Sequence, residues 1–283
     1  MKNKAEFPVK FMCQVLKLSR SGFYQWSKRE PSARAIANQE LLTEVKTVYE
    51  TSDETYGSPR ITSELKAKGI SCSKSRVARV RHKAKLYAVA GRKFKPQTTD
   101  SNHAEPISEN VVNQDFSATE VGQKVGCDIT YIPTAQGWLY LAVVVDFFSR
   151  KILGYAFSNR LESGLVCEAL IKAIGNNKLP AELLRHSDRG SQYASLRYRL
   201  LLKSLGIIQT MSRAGNCYDN ALVESFFHTL KVERVHRRKY ITRDSAKIDI
   251  ENYINYWYNS QRRHSSLGML SPKEFSKTHR KAA

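Results

Sequence analysis

Leu184-Arg185-His186-Ser187-Asp188-Arg189-Gly190-Ser191-Gln192-Tyr193 begins as a short strand, from Leu183 to His186, and turns at an acid, Asp188. Downstream, Asp219-Asn220-Ala221-Leu222-Val223-Glu224-Ser225-Phe226-Phe227 opens a helix that Asp219 or Asn220 can cap and that runs to about Val235. Ala221, Leu222, Val223, Phe226 and Phe227 surround Glu224, so its face is expected to be partly buried. A carboxylate in such a place needs a cation nearby or takes up a proton.

Upstream of this stretch the pattern is strand-like. Asp128-Ile129-Thr130-Tyr131-Ile132 alternates, with β-branched and aromatic residues. Trp138 to Val145 is almost wholly apolar and ends at Asp146, and Lys151 to Phe157 forms a third run. The short connections through 133–137 and 149–150 predict an antiparallel meander. A helix over about Ser163 to Ile174 follows, and then the strand before Asp188. A helix over about 196–205, a brief strand at Ile207-Ile208-Gln209 and the Glu224 helix come next. A long helix, about Arg243 to Tyr258, packs through Ile250, Tyr253, Ile254 and Trp257 and leads into a polar tail. The order βββαβαβα is that of an α/β ribonuclease-H-like fold, a mixed five-stranded sheet flanked by helices. There Asp128 and Asp188 lie on neighbouring strands, and the Glu224 helix crosses beside their ends.

The first third is helical. Phe11, Val15 and Leu18 have helical spacing, and Ser19 can cap a second short helix, so residues 10–26 read as a helix-turn-helix or a plain hairpin. A longer helix spans about 35–50, with Ile36, Leu41, Val45 and Val48 on its stripe. Pro59 suits a first turn and Gly69 a helix end. Ser73 then caps a helix whose Val77, Val80 and Leu86 can face inward. Arg76, Arg79, Arg81, Lys83 and Lys85 stay outside, unrelieved by any acid from Ile70 to Pro96. This is expected to be a DNA-facing element, with helix-turn-helix elements at about 10–26 and 56–88 of a helical region 1–95. Residues 96–118 read as a linker, 119–235 as the sheet-bearing core, and 236–283 as a C-terminal helix and basic tail.

The 283 residues carry 46 Lys and Arg against 26 Asp and Glu, a formal charge of +20 that favours a polyanionic partner, nucleic acid first. No run of about 18 apolar residues argues for a membrane span, and no secretory leader is visible. The five cysteines lack zinc spacing and read as reduced structural thiols of a cytoplasmic protein.

Three gathered carboxylates repel one another, and a divalent ion removes that cost. Mg²⁺ prefers oxygen ligands, and two ions suit phosphoryl transfer. The other acids and polar groups have more ordinary expectations. Asp146 reads as a turn residue with Arg150, and His186 as a satisfied core histidine. The loop Gly215-Asn216-Cys217-Tyr218 lies beside the site, with Asn216 a candidate DNA contact. In the basic run Arg234, Arg237, Arg238, Lys239 the last three are candidate contacts to the DNA backbone.

The words His186-Ser187-Asp188-Arg189-Gly190-Ser191-Gln192-Tyr193 and Asp219-Asn220-Ala221-Leu222-Val223-Glu224-Ser225-Phe226 resemble insertion-sequence transposases with a retroviral-integrase-type core. Asp128-Ile129-Thr130-Tyr131-Ile132 and Tyr258-Asn259-Ser260-Gln261-Arg262-Arg263-His264-Ser265-Ser266-Leu267-Gly268 do so too. Tyr56-Gly57, Arg60-Ile61 and Arg76-Val77 resemble the family's helix-turn-helix. The resemblance runs from about Phe11 to Phe275. It implies a catalytic and metal-binding triad of Asp128, Asp188 and Glu224, two Mg²⁺ (Mn²⁺ substituting), and cleavage and strand transfer of element ends into target DNA. It further implies the second-frame protein of a two-frame bacterial element, nucleoid-associated and oligomeric on DNA, with an upstream-frame helix-turn-helix partner. One departure stands out: members commonly carry Trp three residues before the first aspartate, where this chain has Val125. A nuclease of the same fold without transfer and a non-catalytic DNA-binding regulator are the alternatives.

Overall fold

Three serines set the starts of three helices in the N-terminal part of the chain. Ser19 Oγ accepts from the Gly22 N–H (3.2 Å), Ser32 from Ala35 (3.3 Å) and Ser73 from Arg76 (3.2 Å). The computed structural model describes residues 6–89, 105–177, 179–180, 182–213 and 217–279. They fall into two units, Met1–Tyr87 and Ala88–Ala283.

In the first unit, α1 (Val9–Val15) and α2 (Arg20–Lys28) precede α3 (Ala33–Thr51), α4 (Ser58–Ala67) and α5 (Lys74–Lys83). The last three pack on one another around Val45, Ile61, Leu65 and Val77, all fully buried. Pro59 sits in the first turn of α4, and Gly69, past its end, takes a positive φ of 81° that suits glycine. The earlier pair differs from expectation. Phe11, Val15 and Leu18 are exposed, as is Ile36 at the start of α3. Helical spacing marks an apolar stripe; it does not supply a surface to cover it.

The second unit is built on β1 (Lys124–Thr134), β2 (Gly137–Asp146), β3 (Ile152–Ser158), β4 (Leu184–Ser187) and β5 (Ile208–Met211). The sheet order is β3-β2-β1-β4-β5. The first three strands pair antiparallel, and β4 lies parallel to both β1 and β5. α6 (Ser163–Gly175), α7 (Ser191–Ala194) and α8 (Leu196–Ser204) accompany one core, which includes Val125, Cys127, Ala156, Ala169 and Ala173. α9 (Ala221–Glu233) and α10 (Arg243–Asn252) accompany the other, which includes Ile132, Val143, Phe226, Phe227 and Tyr258. This is the expected mixed five-stranded, ribonuclease-H-like sheet.

Three local expectations change. The last long helix ends at Asn252 and continues as a π-helical turn, Tyr253–Tyr258. The polar tail contains α11 (Pro272–Thr278), started by a reciprocal Ser271–Glu274 cap with proline in the first turn. The expected linker belongs in part to the second unit from Glu105 onward. There the Val111 N–H donates to Thr210 Oγ1 (2.9 Å), Val112 is buried, and Phe116 meets Phe147 edge-on at 5.4 Å.

Candidate active site

Parallel pairing of β1 with β4 sets Gly126 beside His186 and Cys127 beside Ser187. The next residue of each segment is an acid: Asp128 inside β1 and Asp188 just past the end of β4, so the two carboxylates lie side by side where the β1–β4 pairing stops. Alternation along β1 puts Asp128 on the same face as Gly126. That face receives α9: a Cβ at Gly126 would stand 2.5 Å from Val223 Cγ2 and 2.8 Å from the Phe147 ring. Glycine is what lets the helix come this close, and Glu224 follows Val223.

The electrostatics tie the three acids together. Loss of water raises the Asp128 carboxyl well above the usual range. The charge of Asp188 adds to this, and that of Glu224 adds further. Against them stand the Ile129 N–H, which donates to Asp128 Oδ1 at 2.8 Å, and the Lys231 ammonium. Glu224 is also raised, by desolvation first and Asp188 second. Asp188 Oδ1 accepts from the Gly190 N–H (3.1 Å), which shapes the turn into α7.

Glu224 itself is exposed, contrary to the partly buried face its neighbours suggest. Val223, Phe226, Phe227 and Leu230 take the buried side of α9. The acids fit a divalent ion in donor chemistry, because hard cations prefer carboxylate oxygen and relieve carboxylate repulsion. Among the described residues, no group of three or more His, Cys, Asp or Glu is arranged as a ready-made metal cage.

Two side chains near the acids have structural partners. His186 is fully buried, with Nδ1 3.4 Å from Thr210 Oγ1 and Nε2 3.1 Å from Ser212 Oγ. Burial lowers its pKa to about 4, with the Arg185 charge second, so it is a neutral core histidine at pH 7. Asp146 is likewise buried, accepting from the backbone N–H groups of Gly122 and Ser149 (2.8 Å each) and from Ser149 Oγ (2.5 Å). It organises the turn at 146–149 and belongs to no catalytic cluster.

The candidate DNA contacts divide. On and just after α5, Arg79, Lys83 and Lys85 are exposed. Arg76 and Arg81 are half-buried: Arg76 Nε donates to Asn38 Oδ1 (2.9 Å) and Arg81 Nη1 to the Tyr56 carbonyl (3.1 Å). Both therefore help hold α5 within its unit, which corrects the reading of them as purely outward. Arg238 pairs with Asp249 at 3.2 Å, as does Arg234 at 2.5 Å. Arg237 is half-buried, Lys239 is exposed, and Asn216 lies outside the described residues.

Asp219 was expected at most to cap α9. Its side chain, fully buried, instead accepts from Asn110 Nδ2 (2.8 Å), Gln114 Nε2 (3.0 Å) and the backbone and guanidinium of Arg213 (2.9–3.2 Å). These donors, Arg213 foremost, hold its carboxyl far below the usual range. Asn220 provides no side-chain cap either. Lys231 was missed altogether, although its spacing of two helical turns from Glu224 puts it on the same side of α9. Val125 is fully buried and stands opposite Arg185 in the β1–β4 register.

Comparison with known proteins agrees with this architecture. The integrase core domain family matches residues 118–217 and again 224–279, and an HTH-like domain family matches residues 37–94. The chain is 44% identical over 276 residues to Transposase InsF for insertion sequence IS3A of Escherichia coli (strain K12), covering 97% of this chain and 96% of that one. It is 43% identical over 273 residues to the Insertion element IS600 uncharacterized 31 kDa protein of Shigella sonnei, covering 96% of this chain and all of that one. Among solved structures, the simian T-cell lymphotropic virus intasome in complex with PP2A regulatory subunit B56 gamma is similar in fold, with a TM-score of 0.50 at 16% identity. That match covers 85% of this chain and 76% of that one. The chain belongs to the InsF-type transposases of IS3-family insertion sequences, with an integrase catalytic core and an HTH-like domain.

Proposed function

We propose that this transposase cuts DNA at the ends of an insertion element and joins the freed 3′-hydroxyl to target DNA, using Asp128, Asp188 and Glu224. In the first step water attacks the end phosphodiester, the bond to the 3′ oxygen breaks, and a 3′-hydroxyl is released. In the second that hydroxyl attacks a target phosphodiester, one P–O bond forming as another breaks, so no external energy source is needed. Two Mg²⁺ ions, or Mn²⁺, held by the three acids would supply activation of the attacking oxygen and stabilisation of the leaving one. The β1–β4 register, which brings Asp128 and Asp188 side by side, and the close approach of α9 at Gly126, which brings Glu224 next to them, carry this reading; the raised proton affinity of Asp128 and Glu224, each owing part of it to Asp188, supports it.

The chain's own residues position the reactants. Lys231 sits where it offsets the charge of Asp128 and can meet a phosphate. Arg79, Lys83 and Lys85, with Arg76 and Arg81 behind them, would hold the element end. Arg237, Arg238, Lys239 and Asn216 would follow the DNA backbone near the core. Bringing two ends together implies more than one copy of the chain on DNA, and an upstream-frame helix-turn-helix protein is a candidate partner.

The test is joining of labelled element ends in Mg²⁺ or Mn²⁺. Asp188→Asn should abolish joined product while leaving end binding nearly intact. Normal joining by that variant would overturn the triad. Cut but unjoined products from the wild type would instead assign a nuclease.

A further inference from the structure

The side of the sheet away from the acids holds a cation that its protein neighbours satisfy only in part. Arg185 stands opposite Val125 in the β1–β4 register, and strand alternation turns it away from His186 and into the core toward α6 and α8. It is fully buried. Tyr193 on α7 and Tyr198 on α8 are buried with it, their ring centres 4.3 Å and 4.7 Å from its Cζ. The two rings meet edge-on with centroids 5.6 Å apart. Among the described residues, Arg185 Nε, Nη1 and Nη2 have no hydrogen-bond partner, and neither do the hydroxyls of Tyr193 and Tyr198.

Ring faces answer only part of what a guanidinium needs. They offset charge above and below its plane, whereas its N–H bonds lie in that plane and point outward from its edges. Arginine keeps its proton in a folded protein, so burial cannot neutralise it as it can a lysine or a histidine. Burial pushes both phenols up, so neither supplies the opposing charge at neutral pH. The cluster therefore sets hydrogen-bond donors around one fixed positive charge, and buried groups of this kind require a partner. A water molecule would bring no charge and two more hydrogens to place. A halide brings the charge and only accepts.

We propose that Arg185, with the hydroxyls of Tyr193 and Tyr198, forms a buried site for one chloride ion. The ion ties β4 to α7 and α8, the elements that carry these three side chains. Asp128 shares the opposite face of the sheet with Gly126, so the anion site is separate from the acids and independent of the chemistry proposed for them.

Thermal unfolding of the full chain reads the site, in sodium chloride and in sodium gluconate of equal ionic strength at pH 7. Chloride should raise the Tm by about 3–6 °C over gluconate, and bromide should act as chloride does. Arg185→Met keeps the apolar length of the side chain without its charge, and its Tm should be the same in all three salts. Tyr193→Phe combined with Tyr198→Phe keeps both rings and removes both hydroxyls. This double variant should lose most of the chloride response, and it decides the question if Arg185→Met does not fold. Equal Tm values of the wild type in chloride and gluconate would overturn the site. A full response in either variant would overturn it too, because chloride would then be meeting the exposed cations of a chain whose formal charge is +20.

Discussion

The two faces of the sheet are packed by different means. Toward α6 and α8 small residues, Ala142, Ala156, Ala169, Ala173 and Cys167 among them, are interleaved with Leu165, Leu170 and Leu202, and Gly154 lets α6 lie against the strand. A buried cation on this side, Arg185, is held by ring faces, 4.3 Å from the Tyr193 ring centre and 4.7 Å from that of Tyr198. Toward α9 aliphatic side chains are joined by Phe226, Phe227, Tyr253 and Tyr258, and directional polar contacts run among them. Arg262 Nε and Nη2 donate to Glu233 on α9 at 2.7–3.0 Å, and Tyr253 Oη donates to the same carboxylate at 2.8 Å. The three acids belong to this second face. Apolar packing fixes how near a helix lies; an ion pair also fixes its rotation and slide, which a helix presenting Glu224 requires.

Breaking the polar fastening should have the largest effect on stability. Arg262→Ala leaves Glu233 buried without its ion partner and should cost about 3–5 kcal/mol, read by urea unfolding. An alanine at each glycine sharpens the contrast. At Gly154 the added methyl overlaps the backbone of Ala169 and Ala173, and about 1–3 kcal/mol of stability should be lost. At Gly126 it meets the Val223 side chain, so α9 shifts; end joining should fall by a larger factor than stability alone explains, read by pairing melts with joining rates.

A smaller effect is expected from the acids themselves. The Asp128 carboxyl holds its proton more tightly folded than unfolded, so its contribution to stability falls as pH rises from about 4 through the raised folded value. Asp128→Asn should therefore raise the Tm at pH 7 in metal-free buffer, by roughly 2–4 °C, while abolishing joining. Added Mg²⁺ should raise the Tm of the wild type and leave this variant unmoved. Asp219 has the opposite sign. Its carboxyl is depressed below the ordinary 3.8, so its stabilisation is complete above about pH 4 and is lost as pH falls through the lower folded value. Asp219→Asn should flatten the acid limb of a stability–pH curve, the smallest of these changes and one confined to acid.

The strand order and the adjacency of the segments carrying Asp128 and Asp188 were legible because short alternating and apolar runs separated by turns leave a local pattern. Glu224 was legible in position, while the reason given for it was not: its apolar neighbours turn inward and it turns out. What sequence hides is the distant polar partner. Arg234 and Arg238 read as a basic run until Asp249, on α10, claims them. Residues 105–118 read as a linker because Asn110 and Gln114 contribute hydrogen bonds, which carry no hydrophobic period. At Tyr253 the apolar stripe continues unchanged while the backbone hydrogen bonding shifts, so periodicity alone could not mark the π-helical turn.

The buried carboxylate of Asp219 sets where the catalytic unit can be cut from the chain. A fragment beginning at residue 119 would have every strand and all three acids. It would also strip Asp219 of Asn110 and Gln114, and Thr210 of Val111, leaving Arg213 to hold a carboxylate that three segments now share. A self-sufficient core therefore starts at or before Asn110, inside the stretch whose composition looks dispensable.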